Sequence, residues 1–379
     1  MDGFDQLKQT SGFMSLEAAE DVSCPKNLHP NDDIYISKAV LPNGKRISLL
    51  KTLLSSACER NCYYCPFRAG RDFRRATFRP EVLANTYMAL YNAGITQGIF
   101  LSSGVIGGGI RTQDLLIDAV EILRFKLGYR GYLHLKVMPG IEKDQVYRSM
   151  QLADRISVNL EAPNTLRLQK LAPHKQFIDE LIKPLRWIDQ IRRTRRPQKG
   201  WNGRWPSSVT QFVVGGVGES DLELLTTTEH LYRELRLNRS YFSAFRPFPD
   251  TPMSNQPAES RQRQHRLYQA SFLLRDYGFD TEELPINIDG NLPQDIDPKL
   301  AYAKKNLVGQ PVEINLADRH ELLRVPGIGP KAAQAIITNR RKDRLRSLGD
   351  LGRIGINTMR VAPFILMDGR LPARQLSFW

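Results

Sequence analysis

Three cysteines stand within eight residues of one another, as Cys58-x3-Cys62-x2-Cys65. Thiolates at this spacing on a loop can grip a metal or an iron–sulfur cluster together. A structural zinc needs four ligands, and the chain offers only distant Cys24 or a histidine as the fourth. Three thiolates suit a four-iron cluster that leaves one iron open, a position where a substrate could bind. Zinc binding through Cys24, and a chance grouping of buried thiols, are the competing readings.

A second concentration of chemistry lies near the C-terminus, in Leu323-Arg324-Val325-Pro326-Gly327-Ile328-Gly329-Pro330-Lys331. Gly327 and Gly329 permit a tight turn whose amides face outward at the start of a helix, with Pro330 suited to the first helical position. A helix start is a natural anion site, and Lys331 adds charge beside it. Such contacts would go to phosphates, holding a nucleic acid without reading its sequence. Ile328 is expected to pack inward. A weaker echo, Gly352-Arg353-Ile354-Gly355-Ile356, makes an internal repeat of helix, glycine turn and helix.

These groups need a scaffold, and the surrounding sequence supplies one. Short apolar runs at 47–54, 98–101, 132–138, 156–160, 209–214 and 241–245 alternate with helical stretches, as buried parallel strands do. Six such repeats predict a parallel α/β sheet, open or closed into a partial barrel. The cysteines follow the first of these strands, at the carboxyl end where such folds place their active sites. The expected organisation is an irregular segment over 1–45, an α/β domain over 46–277, a Gly- and Pro-rich linker over 278–311 and a small all-α unit over 312–370.

The chain has 379 residues, 41% hydrophobic and 25% charged, which excludes disorder and collagen-like structure. The polar, acidic start Met1-Asp2-Gly3-Phe4-Asp5 is not a secretory signal, no run approaches a membrane span, and four cysteines make no disulfide framework. A reducing cytoplasm is expected. Lys and Arg total 54 against 40 Asp and Glu, and the net charge of +14 favours a polyanionic partner. Basic runs at Arg68, Arg71, Arg74, Arg75 and Arg79, and at Arg192-Arg193-Thr194-Arg195-Arg196 leading to Trp201 and Trp205, are further candidates for nucleic-acid contact.

Cys58-Glu59-Arg60-Asn61-Cys62-Tyr63-Tyr64-Cys65 resembles the signature of the radical S-adenosylmethionine (SAM) enzymes, in which an aromatic residue, here Tyr64, precedes the third cysteine. The resemblance covers about residues 45–255 and implies a partial (β/α)6 barrel of the TIM type. It also implies a [4Fe–4S] cluster on Cys58, Cys62 and Cys65, whose open iron chelates SAM. Reductive cleavage of SAM would give methionine and a 5′-deoxyadenosyl radical that abstracts a substrate hydrogen. A flavodoxin or ferredoxin is the implied electron donor. Where the family usually has Gly-Gly-Glu after the second strand, this chain has Ser102-Ser103-Gly104, so hydroxyls or carbonyls would receive the SAM amino group. Asn159 and Glu161, ending the fourth strand, correspond to ribose contacts, and Gly215 to the strand that contacts adenine.

The C-terminal turn resembles the helix-hairpin-helix motif of DNA repair and uptake proteins. The two parts together resemble a bacterial family of radical SAM proteins described in connection with DNA modification or repair. That wider resemblance includes Tyr241-Phe242-Ser243-Ala244-Phe245-Arg246-Pro247 and Asp295-Ile296-Asp297-Pro298-Lys299-Leu300-Ala301. It implies a SAM-dependent radical enzyme acting on DNA. The alternatives are an RNA-modifying radical enzyme and a non-enzymatic DNA-binding protein with a structural cluster.

Overall fold

The computed structural model describes residues 2–11, 14, 34–41 and 44–372. Seven strands form one sheet: β1 (Ile36–Val40), β2 (Arg46–Leu53), β3 (Gly98–Ser102), β4 (Tyr132–Lys136), β5 (Arg155–Ser157), β6 (Ser207–Val214) and β7 (Arg239–Ala244). They lie in the sheet in chain order. β1 runs antiparallel to β2, and every other pairing is parallel. Right-handed crossovers between sequential parallel strands put all their helices on one face, so the sheet curls into a partial barrel. This is the α/β architecture that the six apolar runs predict.

The helices are α1 (Gly3–Ser11), α2 (Pro80–Asn92), α3 (Gly109–Glu121), α4 (Lys143–Leu152), α5 (Thr165–Leu171), α6 (Lys183–Thr194), α7 (Asp221–Glu234) and α8 (Arg261–Asp276). They continue with α9 (Pro298–Asn306), α10 (Arg319–Arg324), α11 (Pro330–Arg340), α12 (Leu348–Arg353) and α13 (Thr358–Val361). Pro80 opens α2 at its first turn, where its missing N–H costs nothing. The fully buried pattern of β3 reflects a strand covered on both faces.

The chain divides into two compact units, one of residues 1–219 and 230–260, the other of 220–229 and 261–379. The first holds the seven-stranded sheet. The second has its own core, in which Leu322, Leu323, Ile328, Ala333, Ile336 and Leu351 are buried.

Two expectations need correction. The first 45 residues are not irregular throughout, since they contain α1 and β1. β1 is only five residues long, and it pairs along its whole length with β2. The segment 278–311 is not simply a linker either. Asp297 caps α9 by accepting from the Leu300 amide, with Pro298 in the first turn. The proline that suggests a break is there a helix start.

Candidate active site and nucleic-acid interface

The loop carrying the cysteines leaves β2 and returns to its own base. Ser55 bridges Thr77, the Ser56 amide donates to the Ala76 carbonyl at 2.9 Å, and the Ala76 amide donates to Ser56 Oγ at 2.8 Å. Inside it, Arg75 donates to four carbonyls, those of Ser56, Phe67, Arg68 and Arg71, at 2.8–3.1 Å. Arg71 reaches the Pro66 and Pro249 carbonyls and lies over the rings of Phe73 and Phe248. Two arginines of the first basic run therefore lace the loop together. Arg74 and Arg79 are exposed.

Cys58 accepts hydrogen bonds on its sulfur from the Arg60 and Val105 amides, both at 3.4 Å. The segment 102–105 supports this contact. The Gly104 amide donates to the Ser55 carbonyl at 2.7 Å, and a Cβ at Gly104 would overlap the Ala57 carbonyl oxygen. Gly104 is thus needed for close packing beneath the cysteines. Ser102 is buried, and Ser103 turns its hydroxyl onto the Gly104 carbonyl at 2.7 Å.

Cys62 is buried. Burial pushes its thiol up, partly opposed by Lys175. Burial likewise holds the Cys65 thiol and the Tyr64 hydroxyl well above their ordinary ranges. The charged group below them is an ion pair, Glu161 Oε1 to Lys175 Nζ at 2.9 Å, with side chains 4% and 11% exposed. Burial alone would raise Glu161, but Lys175, Lys136 and the Tyr64 hydroxyl outweigh it and hold the carboxyl below its ordinary value. Burial opposes the Lys175 charge as well, and Glu161 and Cys62 more than compensate.

Glu161 adopts φ 65°, a left-handed conformation that is costly for a side chain of this kind and clusters at functional sites. Its other oxygen, Oε2, is buried without a hydrogen-bond partner, as is Ser157 Oγ on β5.

These features permit a test of fit for an iron–sulfur cluster. Among the described residues, no three of His, Cys, Asp and Glu are placed to hold a single metal ion. A cluster asks for something else, thiolates that each take a separate iron. The three cysteines converge on one loop, close enough for the charges of Cys58 and Cys62 to act on Cys65, and so they fit that group. Cys24 lies outside the described residues.

The structure brings Cys62, Tyr64, Cys65 and Glu161 together, and adds Lys175, which the sequence reading missed. Lys175 sits in a loop after α5 with no motif or periodicity to mark it. Asn159 is buried two residues before Glu161. Gly215, at φ 84°, donates its amide to Glu219, and Glu259 fills the space where a Cβ would stand.

The second basic run lies elsewhere. It ends α6 and leads into β6 from the amino end, opposite the cysteine loop. Trp201 is covered by Arg124, 4.0 Å from its ring, and by Arg130. Arg192 donates to Ser208 Oγ and to the Pro206 carbonyl. Arg192 therefore braces the sheet, whereas Arg193, Arg195 and Arg196 are exposed, and Trp201 has its face occupied.

In the second unit the hairpin joins α10 to α11. Gly327 takes φ 89°, whereas Gly329 has φ −100° as the N-cap of α11. Of the two hairpin glycines, only Gly327 occupies the left-handed region that favours glycine. Ile328 is fully buried and Lys331 exposed. A groove of about 700 Å³ runs past Gly329, Pro330, Lys331 and Ala332 to Ile354 and Gly355, so both hairpins border it. Gly327→Ala should cost about 1–2 kcal/mol of stability, with a Cβ only 3.0 Å from Val361 Cγ2. Gly329→Ala should cost less, its backbone being unstrained. Chemical denaturation followed by circular dichroism would check the pair, and equal losses would contradict this reading.

No curated protein matches the chain. Among solved structures, it is similar to methylornithine synthase (PylB), with 15% identity, 60% of this chain and 61% of that one covered, and a TM-score of 0.48. For the FeFe-hydrogenase maturase HydG from Carboxydothermus hydrogenoformans the values are 15%, 60%, 51% and 0.47. For the radical S-adenosylmethionine methyltransferase TsrM from Kitasatospora setae they are 14%, 57%, 39% and 0.40. The chain thus spans less than two thirds of each of these structures. Residues 308–356 match the family model described as a helix-hairpin-helix motif.

Proposed function

We propose that this chain is a radical SAM enzyme that modifies or repairs DNA, gripping the nucleic acid with its helix-hairpin-helix unit. The observation that carries the reading is the self-closed loop at the carboxyl end of the first parallel strand, with Cys58, Cys62 and Cys65 on it. These three would hold a [4Fe–4S] cluster, which when bound supplies one electron to cleave SAM into methionine and a 5′-deoxyadenosyl radical. Protein groups do the rest. The Arg60 and Val105 amides stabilise negative charge on Cys58. Lys175 fixes Glu161 so that Oε2 remains available to a polar group of the cofactor. Tyr64, Ser102, Ser103, Gly104, Asn159 and Gly215 are the other proposed SAM contacts. A flavodoxin or ferredoxin in the cytoplasm would deliver the electron. Among the described residues, no helix is long and apolar enough to cross a membrane.

Anaerobic incubation with SAM and reductant, with duplex DNA, single-stranded DNA and RNA in parallel, followed by mass analysis of the nucleosides, tests the reading. A changed nucleoside in DNA is expected. A change confined to RNA would move the substrate class, and no SAM cleavage under any condition would remove the enzyme reading.

The nucleic-acid part has its own measurement. Lys331→Ala should lower the slope of log affinity against log salt by about one, the effect of one lost phosphate contact. All sequences should weaken alike, because no base edge is read. An unchanged slope would mean that the hairpin faces something other than a phosphate backbone.

A further inference from the structure

The segment Asp297-Pro298-Lys299 has no role in the site described so far, yet it reaches the hairpin from beneath. Lys299 on α9 is buried, and its Nζ donates to the Ile328 carbonyl at 2.5 Å. The ammonium also lies 4.5 Å from the centre of the Tyr277 ring. Ile328 is the residue between the two hairpin glycines. A trans peptide sets its C=O and the following N–H antiparallel, and the described residues contain no cis bond. The bond that draws the Ile328 carbonyl inward therefore turns the Gly329 N–H outward, toward the groove where a phosphate would sit.

We propose that Lys299 is the positioning residue of the hairpin: by holding the Ile328 carbonyl it aims the Gly329 amide, and its charge adds to the field that attracts a phosphate. This rests on the nucleic-acid reading above and adds to it the group that sets the amide's direction.

The surroundings fit such a role. Asp297 accepts from the Leu300 amide with one oxygen and pairs with Arg360 at 2.9 Å with the other, so α9 is fixed at its start. Facing Lys299 are Tyr277 from the end of α8, Asp297 from its own helix, Arg324 from α10 and Arg360 from α13. Arg324 is in turn held by Glu283 at 2.6 Å. Burial, reinforced by Arg324 and Arg360 and opposed by Asp297, brings the Lys299 ammonium down to about 7. Its charge is present below that pH and lost above it. A phosphate favours the charged form, so affinity should fall as pH rises through about 7 and then level off.

The test uses the full chain. Binding of a fluorescent DNA duplex is measured from pH 6 to 8.5, and amide exchange of residues 326–331 is followed without DNA. Lys299→Met should weaken binding about tenfold or more at pH 6, the effect of one lost hydrogen bond to a charged group. Its salt slope should stay unchanged, unlike that of Lys331→Ala, because Lys299 touches no phosphate. In the same variant the Ile328 amide, which donates to the Val325 carbonyl at 3.1 Å across the turn, should exchange faster as the turn loosens, and the pH dependence should vanish. Lys299→Arg, which keeps its charge, should bind without pH dependence over this range.

Wild-type binding that is flat with pH would overturn the charge role. A Lys299→Met protein with wild-type Ile328 exchange would overturn the positioning role. If the arginine variant fails to fold, the wild-type profile and the methionine variant still decide. A protein that binds no DNA would defeat the nucleic-acid reading, while amide exchange would still answer for Lys299.

Discussion

Replacing Cys58, Cys62 or Cys65 with alanine is expected to abolish SAM cleavage outright, and to leave the reconstituted protein far short of about four irons per chain. All three sulfurs come from one loop, and none has a neighbouring thiol that could substitute among the described residues. Iron and sulfide analysis after anaerobic reconstitution, with electron paramagnetic resonance of the reduced protein in the presence of SAM, measures this directly. Cys24→Ala should retain both the cluster and the SAM-dependent change in the spectrum. Should Cys24 prove as necessary as the others, a closed four-thiolate site would replace the open-iron assignment.

The second large effect is expected at Lys175. Lys175→Met removes the partner of a carboxylate that is only 4% exposed. Breaking a buried pair from one side costs about 3–5 kcal/mol, because the remaining charge stays buried and unpaired. The pH dependence follows from the directions of the two shifts. Glu161 is held below its ordinary 4.5, so its contribution is present above that value and lost as pH falls through the folded one. Lys175 is held above its ordinary 10.5, so its contribution is present below that value and lost as pH rises further. The pair stabilises across the whole neutral range. The gap between wild type and Lys175→Met should therefore be wide at pH 7 and narrow below about pH 4.5, as Glu161 takes up a proton in the variant. Denaturant melts at the two pH values check it. A gap that is equally wide in acid would show that the lysine acts through packing of its stem.

Much of the barrel is legible in the sequence because strands covered on both faces read as unbroken apolar runs. β3 is the example, with Ile99-Phe100-Leu101 buried throughout, whereas β6 reads less cleanly because buried Thr210 and Gln211 interrupt its run. The cysteines announce themselves by type and spacing. Lys175 does not, because its meaning comes from a partner 14 residues away that only the strand crossover brings near. Arg75 misleads for a related reason. A basic run reads as a solvated or ligand-binding face, and nothing local reveals that four carbonyls converge on one guanidinium. α9 was hidden by its own start signal, a proline among other prolines and glycines.

The strictly sequential order of the sheet also has a consequence in time. Each strand pairs only with those made just before and after it, so no pairing has to wait for a strand made much later. The cysteine loop is carried by the first parallel strand, whereas its charged floor, Glu161 and Lys175, arrives roughly a hundred residues later. At about 5–20 residues per second, that leaves the three thiols without their cover for roughly 5–20 seconds of every synthesis. Oxidation of the three thiols is therefore expected to be faster in the nascent chain than in the folded protein.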